Sequence, residues 1–296
     1  MTTAAVLPTA TSPGPSGSSP ARRRRTAGRA LLWVLLTLIV ILYAFPFVYL
    51  ALTSLKAPIE AIAVPPTVWP QTWSVENYAA ALSTFGVVPS FINSVTTAVI
   101  STLLTIVLAV PAAYAITRFK TRAGQVFIFS TLVTRMVPPV AIGIPLVAMM
   151  TAVGLRDTPT GLALAHTAIS LPLAIWLLTS FFEAIPVELE EAAAVDGASR
   201  MRILISVIVP VVSGGIAVAA IFAFLASWNE FLFALLLTAV RAQTTPIVIA
   251  NFQTQFGLQW GSMTALAMLY TLPVVAVTFL LQKRIVGGLT LGAVKG

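Results

Sequence analysis

Between Ala30 and Leu55 the chain runs 26 residues without a charged side chain. As a helix that run is about 39 Å long at 1.5 Å per residue, more than the roughly 30 Å of hydrocarbon in a bilayer. In lipid a segment of this kind needs only to satisfy its own backbone, and a helix does so internally. Further charge-free runs, bounded by polar residues or by Gly and Pro, place spans at Ala30–Thr53, Pro89–Thr117, Gln125–Ala152, Gly161–Phe182, Ser206–Phe231 and Ser262–Gln282. Composition agrees, with 58% hydrophobic and 9% charged residues, where a soluble domain carries about 25% charged. The expected fold is an all-α membrane protein of six transmembrane helices, one membrane domain over residues 29–296.

A helix from Ser206 to Val240 would overshoot the bilayer by about 20 Å. A break is therefore expected near Asn229-Glu230, with the apolar stretch beyond it lying at the interface or re-entering. Residues 1–28 are Pro, Ser, Thr, Ala and Gly ending in Arg22-Arg23-Arg24-Arg25, a composition with too little apolar surface to fold, and read as a disordered cytoplasmic tail. The apolar run behind the arginines exceeds the 7 to 15 residues of a signal-peptide core, so a retained first span is expected.

Lys and Arg fall unevenly on the two sides. With the N-terminus inside, Arg22–Arg25, Arg29, Arg118, Lys120, Arg122, Arg200, Arg202, Lys283, Arg284 and Lys295 are cytoplasmic, and Lys56, Arg156 and Arg241 are external. Thirteen against three is a positive-inside pattern and puts both termini in the cytoplasm. It also accounts for the formal charge of +8 without nucleic acid, since no basic patch carries interleaved aromatics.

Chemistry is constrained by scarcity. There is no cysteine and one histidine, which leaves no thiolate or histidine metal cluster and little from which to build a catalytic set. No G-x-x-x-x-G-K-[ST] phosphate loop is present. A secondary carrier would need acidic or histidine relays in its spans and some duplication of halves; Glu230 is the single candidate relay, and no convincing repeat is visible.

Five of the nine acidic residues, Glu183, Glu188, Glu190, Glu191 and Asp196, crowd one cytoplasmic loop. Pro186 suits a first helical position, the glutamates suit the positive end of a helix dipole, Gly197 suits the left-handed residue that ends a helix, and Ser199 suits the cap of the next. A short surface helix is expected, with Ala192, Ala193 and Ala194 forming a small-residue face that another protein can approach closely.

Glu191-Ala192-Ala193, three residues, Gly197, nine residues and Val207-Ile208-Val209-Pro210 resemble the EAA loop of ATP-binding-cassette (ABC) importer permeases. Asn93-Ser94, Trp228-Asn229-Glu230-Phe231 and the tail Gly288-Leu289-Thr290-Leu291-Gly292-Ala293-Val294-Lys295-Gly296 are similar to the carbohydrate branch, in particular its maltose-type G subunit. The resemblance spans about residues 30–296 and implies a type I importer permease (MetI-like) fold with six transmembrane helices, in a bacterial cytoplasmic membrane. It implies as partners a homologous second permease, two ATP-binding ATPase subunits and an extracytoplasmic solute-binding protein. ATP and Mg would then belong to the ATPase chains, with no cofactor in this one. It further implies that the loop 183–205 couples to the ATPase through Glu190, Glu191, Ala192, Ala193, Asp196, Gly197 and Pro210. The tail 283–296, flexible and ending in a carboxylate, would reach the ATPase pair through Leu289, Thr290, Lys295 and Gly296.

Polar groups within spans mark candidate pathway residues: Asn93, Arg135, Trp228, Asn229 and Glu230. Each has a structural alternative. Arg135 precedes a Pro138-Pro139 pair and can bond the carbonyls that the prolines free; Glu230 can cap a helix or anchor at the interface; Asn93 can bond between helices. His166 reads as a satisfied core histidine, and Met136, Met149 and Met150 as packing. Sparse fixed charge suits a neutral, hydroxyl-rich solute; the resemblance to the carbohydrate branch implies a sugar, a disaccharide such as trehalose or maltose, or a polyol. Arg135 leaves a glycerophosphodiester or another phosphorylated solute as the alternative.

Overall fold

The computed structural model describes residues 20–119, 124, 126, 127, 129, 130, 133, 136–254 and 257–293. The chain divides into two compact units, Met1–Leu50 and Ala51–Gly296. Helix α1 (Pro20–Ser54) supplies the described part of the first and runs on into the second; it begins at Pro20, within the stretch 1–28 expected to be disordered, and its apolar portion Leu31–Ser54 is long enough to cross a membrane.

In the second unit the short helices α2 (Pro58–Ala61) and α3 (Glu76–Ser83) precede α4 (Val87–Phe119). Then follow α5 (Pro139–Ala152), α6 (Pro159–Glu183), α7 (Glu188–Val195), α8 (Arg200–Val211) and α9 (Ser213–Trp228). The unit ends with α10 (Leu232–Leu237), α11 (Thr245–Ala250), a two-residue antiparallel ladder of β1 (Gln253–Thr254) and β2 (Gly257–Leu258), and α12 (Trp260–Ala293).

Packing centres on α4, α6 and α9. The buried stripe of α4 is mostly small residues at helical spacing, Ser90, Ser94, Thr97, Ala98, Ser101, Thr105, Ala109 and Ala113 among them, with Val87, Val110, Tyr114 and Thr117 the larger members. Lipid tails are as apolar as leucine, so helices in a bilayer associate by close backbone approach rather than by hydrophobic exclusion. Gly215 serves the same end on α9, because a Cβ there would lie 2.5 Å from the Phe181 ring of α6. Ala174, Leu178, Phe182, Ile203, Ile208 and Val212 complete the main core.

Four described helices are long and apolar enough to span, and a fifth span forms if α8 and α9 count together. They depart from the expected spans in three places. The expected span Gln125–Ala152 is interrupted: Met136, Val137 and Pro138 leave helical geometry, and α5 starts at Pro139, because a residue preceding proline is driven out of the α region. The expected span Ser206–Phe231 is bent by 83° between α8 and α9. A π-helical turn at Leu204–Ile208 and Pro210, which has no N–H to donate, precede the bend at Val212, so that α9 alone runs about 24 Å. Finally, the tail expected to be flexible continues α12 to Ala293; it holds no proline, and Gly287-Gly288 does not stop the backbone ladder.

The expected break after Trp228 is present. Helix α10 packs its Phe233, Ala234 and Leu237 against Leu162 and Ala165 of α6, with Leu146, Val147 and Met150 of α5 beside them.

Candidate functional site

Helix α7 is built as its sequence suggests at both ends, with one shift. The amides of Glu190 and Glu191 bond back to Val187 O at 2.9 and 3.1 Å, so Val187 is the cap and Pro186 lies just outside the helix. Glu188, Glu190 and Glu191 occupy the first turn, where the helix dipole favours negative charge. At the other end Gly197 has φ +82°. Its N–H bonds Ala194 O at 3.0 Å and that of Ala198 bonds Ala193 O at 3.1 Å, the paired bonds of a Schellman turn, which requires the left-handed residue. Ser199 Oγ accepts from Arg202 N at 3.4 Å and opens α8.

The helix has two faces. Glu191, Ala192, Ala194, Val195, Asp196 and Gly197 are exposed, Val195 to 88%. Ala193 and Ala198 turn inward against the main core, so the small-residue face of three alanines is divided between partner side and bundle side. Glu190 also turns inward. Arg118 Nε donates to its Oε1 at 2.5 Å, and the Tyr114 hydroxyl donates to its Oε2 at 2.8 Å. Arg118 Nη2 further donates to Ile185 O at 3.2 Å, in the link that leads into α7. The two charged side chains are 11% and 12% exposed. Beside them Arg200 lies over the Phe119 ring, 5.0 Å from its centroid. A cleft of about 1230 Å³ opens here between the end of α4 and the α7–α8 turn. Pro210, the last element of the loop pattern, sits in α8 two residues after the end of its π turn.

The candidate pathway residues take up structural contacts at the other part of the bundle. Asn93 Nδ2 donates to Arg241 O at 2.8 Å and Gln243 O at 3.1 Å, tying α4 to the α10–α11 loop. Trp228 is 1% exposed, stacked on Phe224 and Tyr270 at 5.5 and 4.9 Å and edge-on to Phe91 at 5.8 Å; its carbonyl accepts from the Tyr270 hydroxyl. Asn229 is exposed and bonds Leu225 O at 2.9 Å. Glu230 accepts from the amides of Phe233 and Ala234 at 2.9 and 3.0 Å, capping α10, and faces His166 Nε2 at 3.2 Å. His166, 1% exposed, shares its Nδ1 with Ser227 Oγ at 2.7 Å. Arg135, Lys295 and Gly296 lie outside the described residues; Leu289 and Thr290 sit on the helical backbone of α12.

Two groups of residues carry geometry that sequence reading missed. Tyr114 and Arg118 lie 76 and 72 positions from Glu190, and Arg118 stood out only as one more basic residue near a span end. Asp157, at φ +56°, accepts from the amides of Ala239, Val240, Arg241 and Ala242 at 2.9 to 3.3 Å. Burial pushes its carboxyl up, but the four amides together outweigh burial and hold it below the ordinary value. The Asp157 turn thereby fixes the loop whose carbonyls Asn93 grips.

Residues 103–290 match the family model of the binding-protein-dependent transport system inner membrane component. The trehalose transport system permease protein SugB of Mycobacterium tuberculosis is 38% identical, over 91% of this chain and 99% of its own. A probable ABC transporter permease protein, y4oR of Sinorhizobium fredii, is 36% identical over 90% of this chain and 96% of its own. Among solved structures, a chain of a bacterial ABC transporter involved in import of the acidic polysaccharide alginate superposes with a TM-score of 0.75 at 22% identity, over 91% of this chain and 99% of that one. At that identity the superposition speaks to the fold.

Proposed function

Because this chain belongs to the family of binding-protein-dependent transport system inner membrane components, we propose that it lines the path of a disaccharide such as trehalose or maltose through an ATP-driven importer. It is a permease subunit of an ABC sugar importer and a multi-pass protein of the cytoplasmic membrane. In our reading its termini are cytoplasmic, and it works with a homologous permease, two ATPase chains that bind ATP and Mg, and an extracytoplasmic solute-binding protein.

One observation carries this reading. Helix α7 presents Glu191, Ala192, Ala194 and Asp196 outward while its other face is seated on the α4–α6 core. A short, small-residue helix held from behind suits the cleft of an ATPase subunit. Closure of two ATPases on ATP displaces that helix as a rigid body, and the bundle opens its path alternately to each side. Fixed charge is sparse, 9% of residues, which favours recognition of hydroxyl groups by amides and ring faces. Glu230 is occupied by two backbone amides and His166, an arrangement that suits a helix cap better than the proton relay of a secondary carrier.

The test is purification of the tagged chain from its native membrane in mild detergent. A second permease and two ATPase copies should co-purify, and proteoliposomes with the binding protein should take up trehalose at the expense of ATP. A folded lone chain without ATPase would overturn the reading.

A further inference from the structure

Glu190 and Glu191 are adjacent in sequence, yet the fold sends them opposite ways: Glu191 to the exposed face, Glu190 into a partly buried pair with Arg118. Both oxygens of Glu190 are used, Oε1 by the Arg118 guanidinium and Oε2 by the Tyr114 hydroxyl. The same guanidinium holds Ile185 O, so one side chain at the end of α4 grips both α7 and the link that precedes it.

We propose that Arg118 and Tyr114 are positioning residues for energy coupling. With Glu190 they clasp the docking helix to the end of α4, so that a displacement imposed on α7 reaches the bundle instead of being absorbed in the link.

The physical case rests on what else holds α7. Its remaining inward contacts include the methyl groups of Ala193 and Ala198, which resist separation but offer little against sliding, because dispersion is weak and without direction. The link Ala184–Val187 is not helical and supplies a hinge. A charge-assisted hydrogen bond between two largely buried side chains is directional, and a partly buried pair is screened by salt much less than an exposed one. Arg200, stacked on Phe119, restrains the α8 side of the turn. The same end of α4 packs into the core, with Tyr114 edge-on to Phe182 of α6, and α4 runs on along α6 and α9, so a shift of its end is passed to the helices that form the core.

This inference rests on the reading of α7 as the ATPase-docking helix, and the experiment separates the two. The complete importer is reconstituted with its partner subunits, and trehalose taken up per ATP hydrolysed is measured beside the amount of ATPase that co-purifies. For Arg118→Ala the expected result is wild-type amounts of bound ATPase with about a tenfold lower trehalose-to-ATP ratio, and Arg118→Lys recovers most of it. A ratio within twofold of wild type in Arg118→Ala overturns the clasp. Should Arg118→Ala fail to assemble, Tyr114→Phe, which removes one hydroxyl, decides: about a threefold lower ratio supports the clasp and a wild-type ratio overturns it. Ala192→Trp on the exposed face addresses the premise alone; ATPase retained there in wild-type amount overturns the docking reading itself.

Discussion

Asp157→Asn isolates one anchor of the α10–α11 loop. Asparagine tolerates the left-handed backbone at this position, so the change removes charge without adding backbone strain. One oxygen survives to accept from Ala239 and Ala242, while the new NH₂ group faces the amides of Val240 and Arg241, which donate to Oδ2 at 3.3 and 3.1 Å. Two charge-assisted bonds at about 1.5 to 3 kcal/mol each are lost and two more become neutral. The loop is partly exposed, and water takes over some of the loss, so the net cost of holding residues 239–242 is about 2 to 3 kcal/mol. That corresponds to about 30- to 150-fold faster local opening. Hydrogen exchange of the peptide covering residues 238–243 in detergent-solubilised protein measures it directly. The carboxyl is held below its ordinary value of 3.8, so the unfolded loop binds its proton more readily. The stabilisation is then complete above about pH 4 and lost as pH falls through the folded-state value. The difference between wild type and variant should stay constant between about pH 5 and 8 and shrink only below about pH 4, as pH falls through the folded-state value. Exchange in Asp157→Asn within threefold of wild type at neutral pH would refute the reasoning.

Gly197→Ala should weaken the α7 Schellman turn by about 1 to 2 kcal/mol through its positive φ alone, since nothing lies within 4 Å of a Cβ there; Gly197→Asn should cost less, and exchange of the Ala198 amide ranks the two. Trp228→Ala empties a site stacked between Phe224 and Tyr270 and should cost about 3 to 5 kcal/mol, read as a clear fall in thermal midpoint in detergent, with Trp228→Phe intermediate. Gly215→Val drives a branched side chain into the Phe181 ring and should cost about 1 to 3 kcal/mol by overpacking; combining it with Phe181→Ala should restore part of the loss, and a further fall in thermal midpoint for the pair would count against direct contact.

Much of this protein was legible from local rules. Uncharged runs marked where helices cross lipid, because chain length and the bilayer's intolerance of bare backbone are both local quantities. Gly197 and Ser199 were legible as caps because a cap is satisfied within four residues of itself. The break after Trp228 followed from length alone. The bend at Val212 left a weaker trace in Pro210 and Gly214-Gly215, which an apolar run conceals: hydropathy reports solvent, not direction.

What the linear order left open is which way each polar group turns. The glutamates of α7 look alike in sequence, and only the approach of α4 from 72 residues away makes Glu190 an internal anchor while Glu191 stays exposed. Asn93 bonds a loop 148 and 150 positions distant, and His166 meets Ser227 across 61. The sequence by itself determined the solvent, most of the helices and the Gly197 and Ser199 caps, since each depends on near neighbours. The tertiary structure decided the pairings, because a hydrogen bond needs two groups within about 3 Å, and for groups so far apart along the chain that distance is set by how the whole bundle packs.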